Sequence, residues 1–189
     1  NYHIFYQLLS KQGNTNKYNY LNNELIQLDN DSTNHIELEN AFEILGFSKD
    51  LVKSIYQLIF GILELGNLNF EDDTIDDYKR VSKYLNVDSK LLVETLTKKK
   101  IRVVNDICIS DLSIEQSRNK RDALAKEIYG FVFNYIVEYI NNKIYNQSCN
   151  SDTKFIGILD IFGFEIFEKN DFEQFFINYA NETLQNQFN

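Results

Sequence analysis

Asp160, Gly163 and Glu165 are the residues of this chain whose types and spacing could do chemistry. Asp160 closes the apolar run Phe155-Ile-Gly-Ile-Leu159, which does not alternate and so reads as a strand covered on both faces. In open α/β sheets, ligands bind beyond the carboxyl ends of strands. A carboxylate placed there can hold Mg2+ directly or through water. A glycine just past it lets a backbone N–H come close to a phosphate. The plainer readings stay open at this stage: Asp-x-x-Gly is also an ordinary turn, and Glu165 alone is also a solvated acid at the start of a helix.

The same Asp-x-x-Gly arrangement occurs in the switch segment of phosphate-loop nucleotidases, but the partner motif of that chemistry is missing. The seven glycines stand at 13, 46, 61, 66, 130, 157 and 163. None of them begins a Gly-x-x-x-x-Gly-Lys-Ser/Thr loop. On residues alone, the chain carries half of a nucleotide site.

The elements that must position these residues are mostly helical. Residues 2–9 form an apolar helix piece, and the polar, Asn-rich stretch 11–23 a loop. Between Ile36 and Leu45 apolar residues fall near a helical period, with Gly46 as its C-terminal stop. Ser48 caps the next helix, whose stripe runs through Leu51, Val52, Ile55, Leu58, Ile59, Ile62 and Leu63 to Gly66. The acidic stretch Glu71–Asp77 reads as a solvated loop. Helices are expected at about 81–85 and 90–97. Two β-prone runs, Ile101–Val104 and Ile107–Ile109, flank Asn105-Asp106 and predict a hairpin over about 101–110. Ser113-Ile-Glu-Gln116 is a capping box that opens a long helix. That helix continues through Leu124, Ile128, Phe131, Val132, Tyr135, Ile136, Tyr139 and Ile140. Residues 146–153 read as a loop, and Asn170-Asp-Phe-Glu173 caps a last helix.

Composition sets the class. The chain has 189 residues, 43% of them hydrophobic and 14% aromatic, enough to bury a core. With 28 acids against 19 bases, the net charge of −9 argues against general nucleic-acid binding or attachment to an anionic membrane surface. No apolar run approaches a membrane span. Two cysteines and two scattered histidines make neither a metal cage nor a disulfide framework. The chain starts at Asn1 within one helical pattern and ends at Asn189 within another, as a piece of a longer protein would.

The wider motif is far more specific. Asp160-Ile-Phe-Gly-Phe-Glu165, with the Ile-Phe-Glu-Lys-Asn-Asp-Phe-Glu-Gln-Phe that follows and then Ile177-Asn-Tyr-Ala-Asn-Glu182, resembles switch II and the relay helix of the myosin motor domain. Three other stretches agree in the same order. Asn1-Tyr-His-Ile-Phe-Tyr-Gln7 resembles the helix after switch I. Ile62-Leu-Glu-Leu-Gly-Asn67 resembles the family's Ile-Leu-x-Leu-Gly-Asn element. Arg121-Asp-Ala-Leu-Ala-Lys126, followed by Tyr129, resembles its long central helix. The resemblance covers essentially the whole chain.

It implies roles for named residues. Asp160 is expected to hold the Mg2+ of MgATP through water. The N–H of Gly163 is expected to bond the γ-phosphate, and Glu165 to pair with a switch I arginine and help position the attacking water. The segment from Lys98 to about Ile109 aligns with an actin-contacting loop, which makes Lys98, Lys99, Lys100, Arg102 and Asp106 the candidate actin residues. Asp106 lies sixteen residues before Asp122, the spacing of the family's regulatory position, which carries either an acid or a phosphorylatable residue. An acid there implies competence for actin without phosphorylation at this site. Lys98–Arg102 is equally an ordinary solvated run at the start of a strand. The acidic stretch after Phe70 is short where many myosins carry a longer loop facing actin.

The expected fold is a predominantly helical α/β piece of a phosphate-loop NTPase motor. It has one central-sheet strand at about 154–161 and the hairpin. Residues 1–153 would be a partial upper subdomain beside the actin cleft, 154–165 the strand and switch II, and 166–189 the start of the relay helix and lower subdomain. Phe172, Phe175, Phe176 and Tyr179 are expected to be core. The intact protein would be a cytoplasmic, cytoskeleton-associated, actin-activated ATPase. Its partners would be filamentous actin, the rest of the heavy chain and light chains on a neck outside this chain. The phosphate loop and switch I would lie upstream of residue 1, so the 189 residues alone are expected not to hydrolyse ATP. The alternative is a non-catalytic myosin-like binding or scaffold domain.

Overall fold

The computed structural model describes residues 2–10, 17–21, 31–103, 106–145, 154 and 156–188. Its elements in chain order are α1 (His3–Leu9), a 3-10 turn (Asn19–Leu21), α2 (Asp31–Ile44), α3 (Lys49–Gly66), α4 (Ile75–Leu85), α5 (Ser89–Thr97), β1 (Lys98–Val103), β2 (Asp106–Asp111), α6 (Ile114–Ile144) and α7 (Phe172–Phe188). They fall into two compact units, Asn1–Tyr145 and Asn146–Asn189.

Local chemistry sets the helix ends of the first unit. Gly46, at φ +75°, stops α2. The Phe47 N–H donates to the Phe42 carbonyl at 2.9 Å and the Gly46 N–H to the Glu43 carbonyl at 3.0 Å. This is the paired bonding of a left-handed helix stop, and the rings of Phe42 and Phe47 supply its apolar contact with centroids 4.8 Å apart. Ser48 then caps α3 by accepting from the Leu51 N–H at 3.2 Å. Ser113 and Gln116 form the expected reciprocal box at the start of α6.

α3 is the centre of the core. Its first turns bury one face, as the stripe predicts, but from Ile62 to Gly66 every residue is buried. α4, α6 and the 3-10 turn pack around that half. Leu63, Leu65 and Leu68, with Val81 of α4 and Leu96 of α5, are among the most enclosed residues of the core. Gly66 is required there by space, because a Cβ at this position would stand 2.5 Å from the Tyr20 ring. Tyr20 in turn donates to the Asp122 carboxylate of α6 at 2.5 Å, and the Arg121 guanidinium reaches the carbonyls of Gly66 and Leu68. α1 joins α6 through Tyr2 stacked on Tyr129 at 4.0 Å, where burial pushes the Tyr129 hydroxyl up to about 12.

Several expectations need correction. α4 begins at Ile75 rather than near 81, because Thr74 and Asp77 form a capping box. The acidic stretch is therefore not simply a solvated loop. The Asp73 carboxylate accepts from the N–H groups of Asn69 and Phe70 at 3.1 and 2.8 Å, and the Asn69 side chain accepts from those of Glu71 and Asp72. α2 begins at Asp31, five residues before its apolar pattern. The hairpin is present but starts at Lys98, with Lys98 opposite Asp111 and Val103 opposite Asp106. Asp106 is thus the first residue of β2 rather than part of the turn. Asn105 lies outside the described residues, as do residues 11–16 and 22–23 of the loop expected at 11–23, whose described part holds the 3-10 turn, and the loop expected at 146–153. On α6, Phe131 and Tyr135 face outward while Ala125 and Val132 are buried.

The second unit departs most. Among the described residues of 154–161 the expected strand is not formed: residues 156–161 belong to no ladder, and Ile156 and Ile158 are 96% and 93% exposed. A strand exists only through backbone bonds to a neighbour. Among the described residues the one sheet is β1 with β2. Phe172, Phe175, Phe176 and Tyr179 are exposed rather than core; their rings pack on one another along α7, where no described residue is buried. No helix among the described residues is long and apolar enough to cross a membrane.

Candidate functional site

The candidate site is the segment Asp160–Glu165 and the face of α7 to which it is fastened. Three amide side chains, Gln174, Asn178 and Asn181, stand at i, i+4 and i+7 and so share one side of the helix. The Asn178 side chain holds the backbone of Glu165 from both directions: its Oδ1 accepts from the Glu165 N–H at 2.7 Å, and its Nδ2 donates to the Glu165 carbonyl at 2.8 Å. One turn on, Asn181 Nδ2 donates to the Phe162 carbonyl at 2.7 Å and to its own helix at Ile177. One turn back, Gln174 Nε2 donates to Glu165 Oε2 at 3.3 Å. Helix α7 opens at Asp171, whose N–H donates to Gln174 Oε1 at 2.9 Å. The capping pair is therefore Asp171 with Gln174, one residue later than the sequence pattern of Asn170 with Glu173. Asn170 instead exchanges hydrogen bonds with the backbone of Phe167.

These bonds place the three predicted residues unequally. Glu165 is half-buried and held at both its backbone and its carboxylate. Asp160 and Gly163 are exposed. A Cβ at Gly163 would meet nothing within 4 Å, so no contact among the described residues requires a glycine there. A single exposed carboxylate suits Mg2+, which keeps several waters and takes one or two carboxylates beside substrate phosphates. No all-protein cage is present, because no three His, Cys, Asp or Glu side chains gather to hold a metal among the described residues. The amide face of α7 was missed in the sequence, where its members look like part of the general Asn and Gln richness. Their i, i+4, i+7 spacing directly after Asp160–Glu165 was the available signal.

The candidate actin residues lie on the hairpin of the first unit. Lys98 and Lys100 share one face of β1 and Lys99 takes the other, as alternation requires. Lys99 and Lys100 are exposed; Lys100 approaches Glu94 at 3.5 Å, a surface pair of little energetic weight. The Lys98 carbonyl accepts from Lys120 Nζ of α6 at 3.1 Å, which ties β1 to the long helix. Arg102 pairs with Ile107 and Asp106 with Val103 in the ladder, and the side chains of both residues lie outside the described set.

Comparison with known proteins matches the whole chain. The family model of the myosin head (motor domain) covers residues 1–189. A myosin-I heavy chain of Dictyostelium discoideum is 37% identical over 214 residues, covering 100% of this chain and 9% of that protein. The unconventional myosin-Vc of Homo sapiens is 37% identical over 213 residues, again over 100% of this chain and 12% of that protein. The unconventional myosin ID of Drosophila melanogaster is 38% identical over 211 residues, 100% of this chain and 21% of its own length. The chain thus spans about a tenth to a fifth of the curated relatives it matches. With the family model and all three relatives aligned over the full chain, from the helix at His3 to the amide face of α7, this chain belongs to the myosin head (motor domain) family.

Proposed function

We propose that this chain is the part of an actin-dependent ATPase motor that carries switch II and the first turns of the relay helix. The observation that supports it most is the fastening of Phe162 and Glu165 to one face of α7 by Asn181, Asn178 and Gln174. Through those bonds, the position of the segment that would face the γ-phosphate is tied to the helix that would carry the movement away. Phosphoryl transfer needs mainly positioning and charge stabilisation, and a held backbone with a directed carboxylate supplies positioning.

In this reading Asp160 would hold Mg2+ through water, and the chemistry supplied there would be neutralisation of phosphate charge. The Gly163 N–H donates to the γ-phosphate, a close approach that accounts for a glycine that no contact among the described residues demands. Glu165 pairs with a switch I arginine and helps position the attacking water. The phosphate loop and that arginine come from sequence upstream of residue 1, so the 189 residues alone do not turn over ATP. Residues 1–153 serve as part of the upper subdomain beside the actin cleft, 154–165 as the segment that carries switch II, and 166–189 as the start of the relay helix. Lys98, Lys99, Lys100, Arg102 and Asp106 meet actin, whose acidic surface a basic hairpin would steer. The motor works in the cytoplasm on the cytoskeleton with the rest of its heavy chain and with light chains on its neck.

The test is the steady-state Mg-ATPase of the intact head with and without filamentous actin. Strong activation by actin is expected. A correctly folded head without Mg-ATPase would leave a myosin-like binding or scaffold domain in its place.

A further inference from the structure

We propose that Gln174 is a positioning residue for Glu165: it ties the orientation of the Glu165 carboxylate to the first turn of α7. The inference rests on the motor reading above, in which Glu165 helps position the attacking water. The argument is in the two ends of one amide. Gln174 Oε1 accepts from the Asp171 backbone N–H at 2.9 Å, and Gln174 Nε2 donates to Glu165 Oε2 at 3.3 Å. A backbone N–H can only donate and an ionised carboxylate can only accept, so the amide has one orientation that satisfies both. Once the helix start engages Oε1, the NH2 group is turned toward Glu165. The backbone of Glu165 is held independently by Asn178 at 2.7 and 2.8 Å, so the Gln174 bond governs the carboxylate and not the path of the chain. Among the described residues Gln174 is the one side chain bonded to that carboxylate. The 3.3 Å separation leaves it a moderate bond that a guanidinium can share or replace, as a group that must also pair with an arginine requires.

Two variants in the intact head test this. Gln174→Met keeps the length of the side chain and removes both hydrogen-bonding ends. Gln174→Glu keeps the shape but places a second carboxylate against Glu165. Both are expected to lower kcat of the basal Mg-ATPase on the order of tenfold, the scale of one hydrogen bond to a charged group, with KM for ATP within about twofold. The pH profile separates positioning from mere structure. Two carboxylates at this distance share a proton, and the protonated Glu side chain then donates to Glu165 as the amide did. The activity of Gln174→Glu relative to the unmodified head should therefore rise as pH falls from about 8 to 6, while that of Gln174→Met stays flat. An unmodified active head with both variants at its own kcat, or with parallel profiles for the two variants, overturns this proposal alone. A folded unmodified head without ATPase overturns the motor reading and this proposal with it. If Gln174→Glu does not fold, the kcat and KM of Gln174→Met decide.

Discussion

The Glu64 carboxylate, 2% exposed in the last turn of α3, accepts from the Arg80 guanidinium of α4 at 2.8 Å, with Lys17 Nζ at 3.6 Å on its other oxygen. A charge this deep is tolerated only with partners. Arg80→Ala should destabilise the first unit by about 2–3 kcal/mol, below the usual 3–5 for a broken buried pair because Arg80 is itself 46% exposed and Lys17 remains. Urea denaturation gives the value. Adding Glu64→Gln to Arg80→Ala should recover part of the loss, because the stranded charge is then gone.

Gly66→Ala tests the contact of α3 with the 3-10 turn. The new methyl would collide with the Tyr20 ring, and overpacking of this kind costs about 1–3 kcal/mol. In a double-mutant cycle, Tyr20→Leu should absorb most of that cost. Additive losses would place the strain elsewhere.

The two capping boxes should behave alike. Thr74→Ala and Ser113→Ala each leave a helix N–H without its side-chain acceptor and should each cost about 1 kcal/mol. The positions do not touch, so in the urea midpoint their effects should add.

Asp77 makes acid stability depend on one cap. Hydrogen bonds from the Thr74 hydroxyl and backbone N–H, with Arg80 beside them, hold its carboxyl below the usual carboxylate range. A depressed folded value means the stabilisation is present above the unfolded value of about 3.9 and is lost as pH falls through the folded one. Asp77→Asn should therefore flatten the fall of the urea midpoint below about pH 4 and leave its slope near pH 7 unchanged.

Asp106 offers a functional test. Under the motor reading, Asp106→Ala in the intact head should lower actin-activated ATPase several-fold with basal turnover kept, and Asp106→Glu should preserve it. Equal activation in all three heads would remove Asp106 from the actin contact.

What the sequence made legible was local. Ser48 and Ser113 announce their caps, Gly46 its stop, and the α3 stripe its inner face, because each signal lies within a few residues of its effect. The start of α4 was missed because its box uses Asp77 where the pattern leads one to look for Glu or Gln. Three consecutive lysines hid the first half of β1, which is held in place by its partner strand rather than by its own propensity. The strand at 154–161 was read from a property that belongs to a whole sheet, and among the described residues no strand pairs with that run. Glu64 gives no local sign of its burial; its partner Arg80 stands sixteen residues away on another helix. At the candidate site, Asp160, Gly163 and Glu165 were recognisable by motif. The amides that hold the segment were not: their i, i+4, i+7 spacing puts them on one helix face but does not say what that face bonds to.

The bond from Tyr20 to Asp122 joins positions 102 apart in the chain, and Asn19 reaches the side chain of Asn67 across 48. The α3–α4 pair and the hairpin, by contrast, close over short stretches. Chain-closure entropy rises with the length enclosed, so the short-range pieces are favoured to assemble first and the 3-10 turn to dock onto a scaffold already made. The same order run backwards predicts where the first unit opens. Amide hydrogens around 17–21 should exchange through local release of the turn, while those of Ile62–Gly66 should wait for global unfolding.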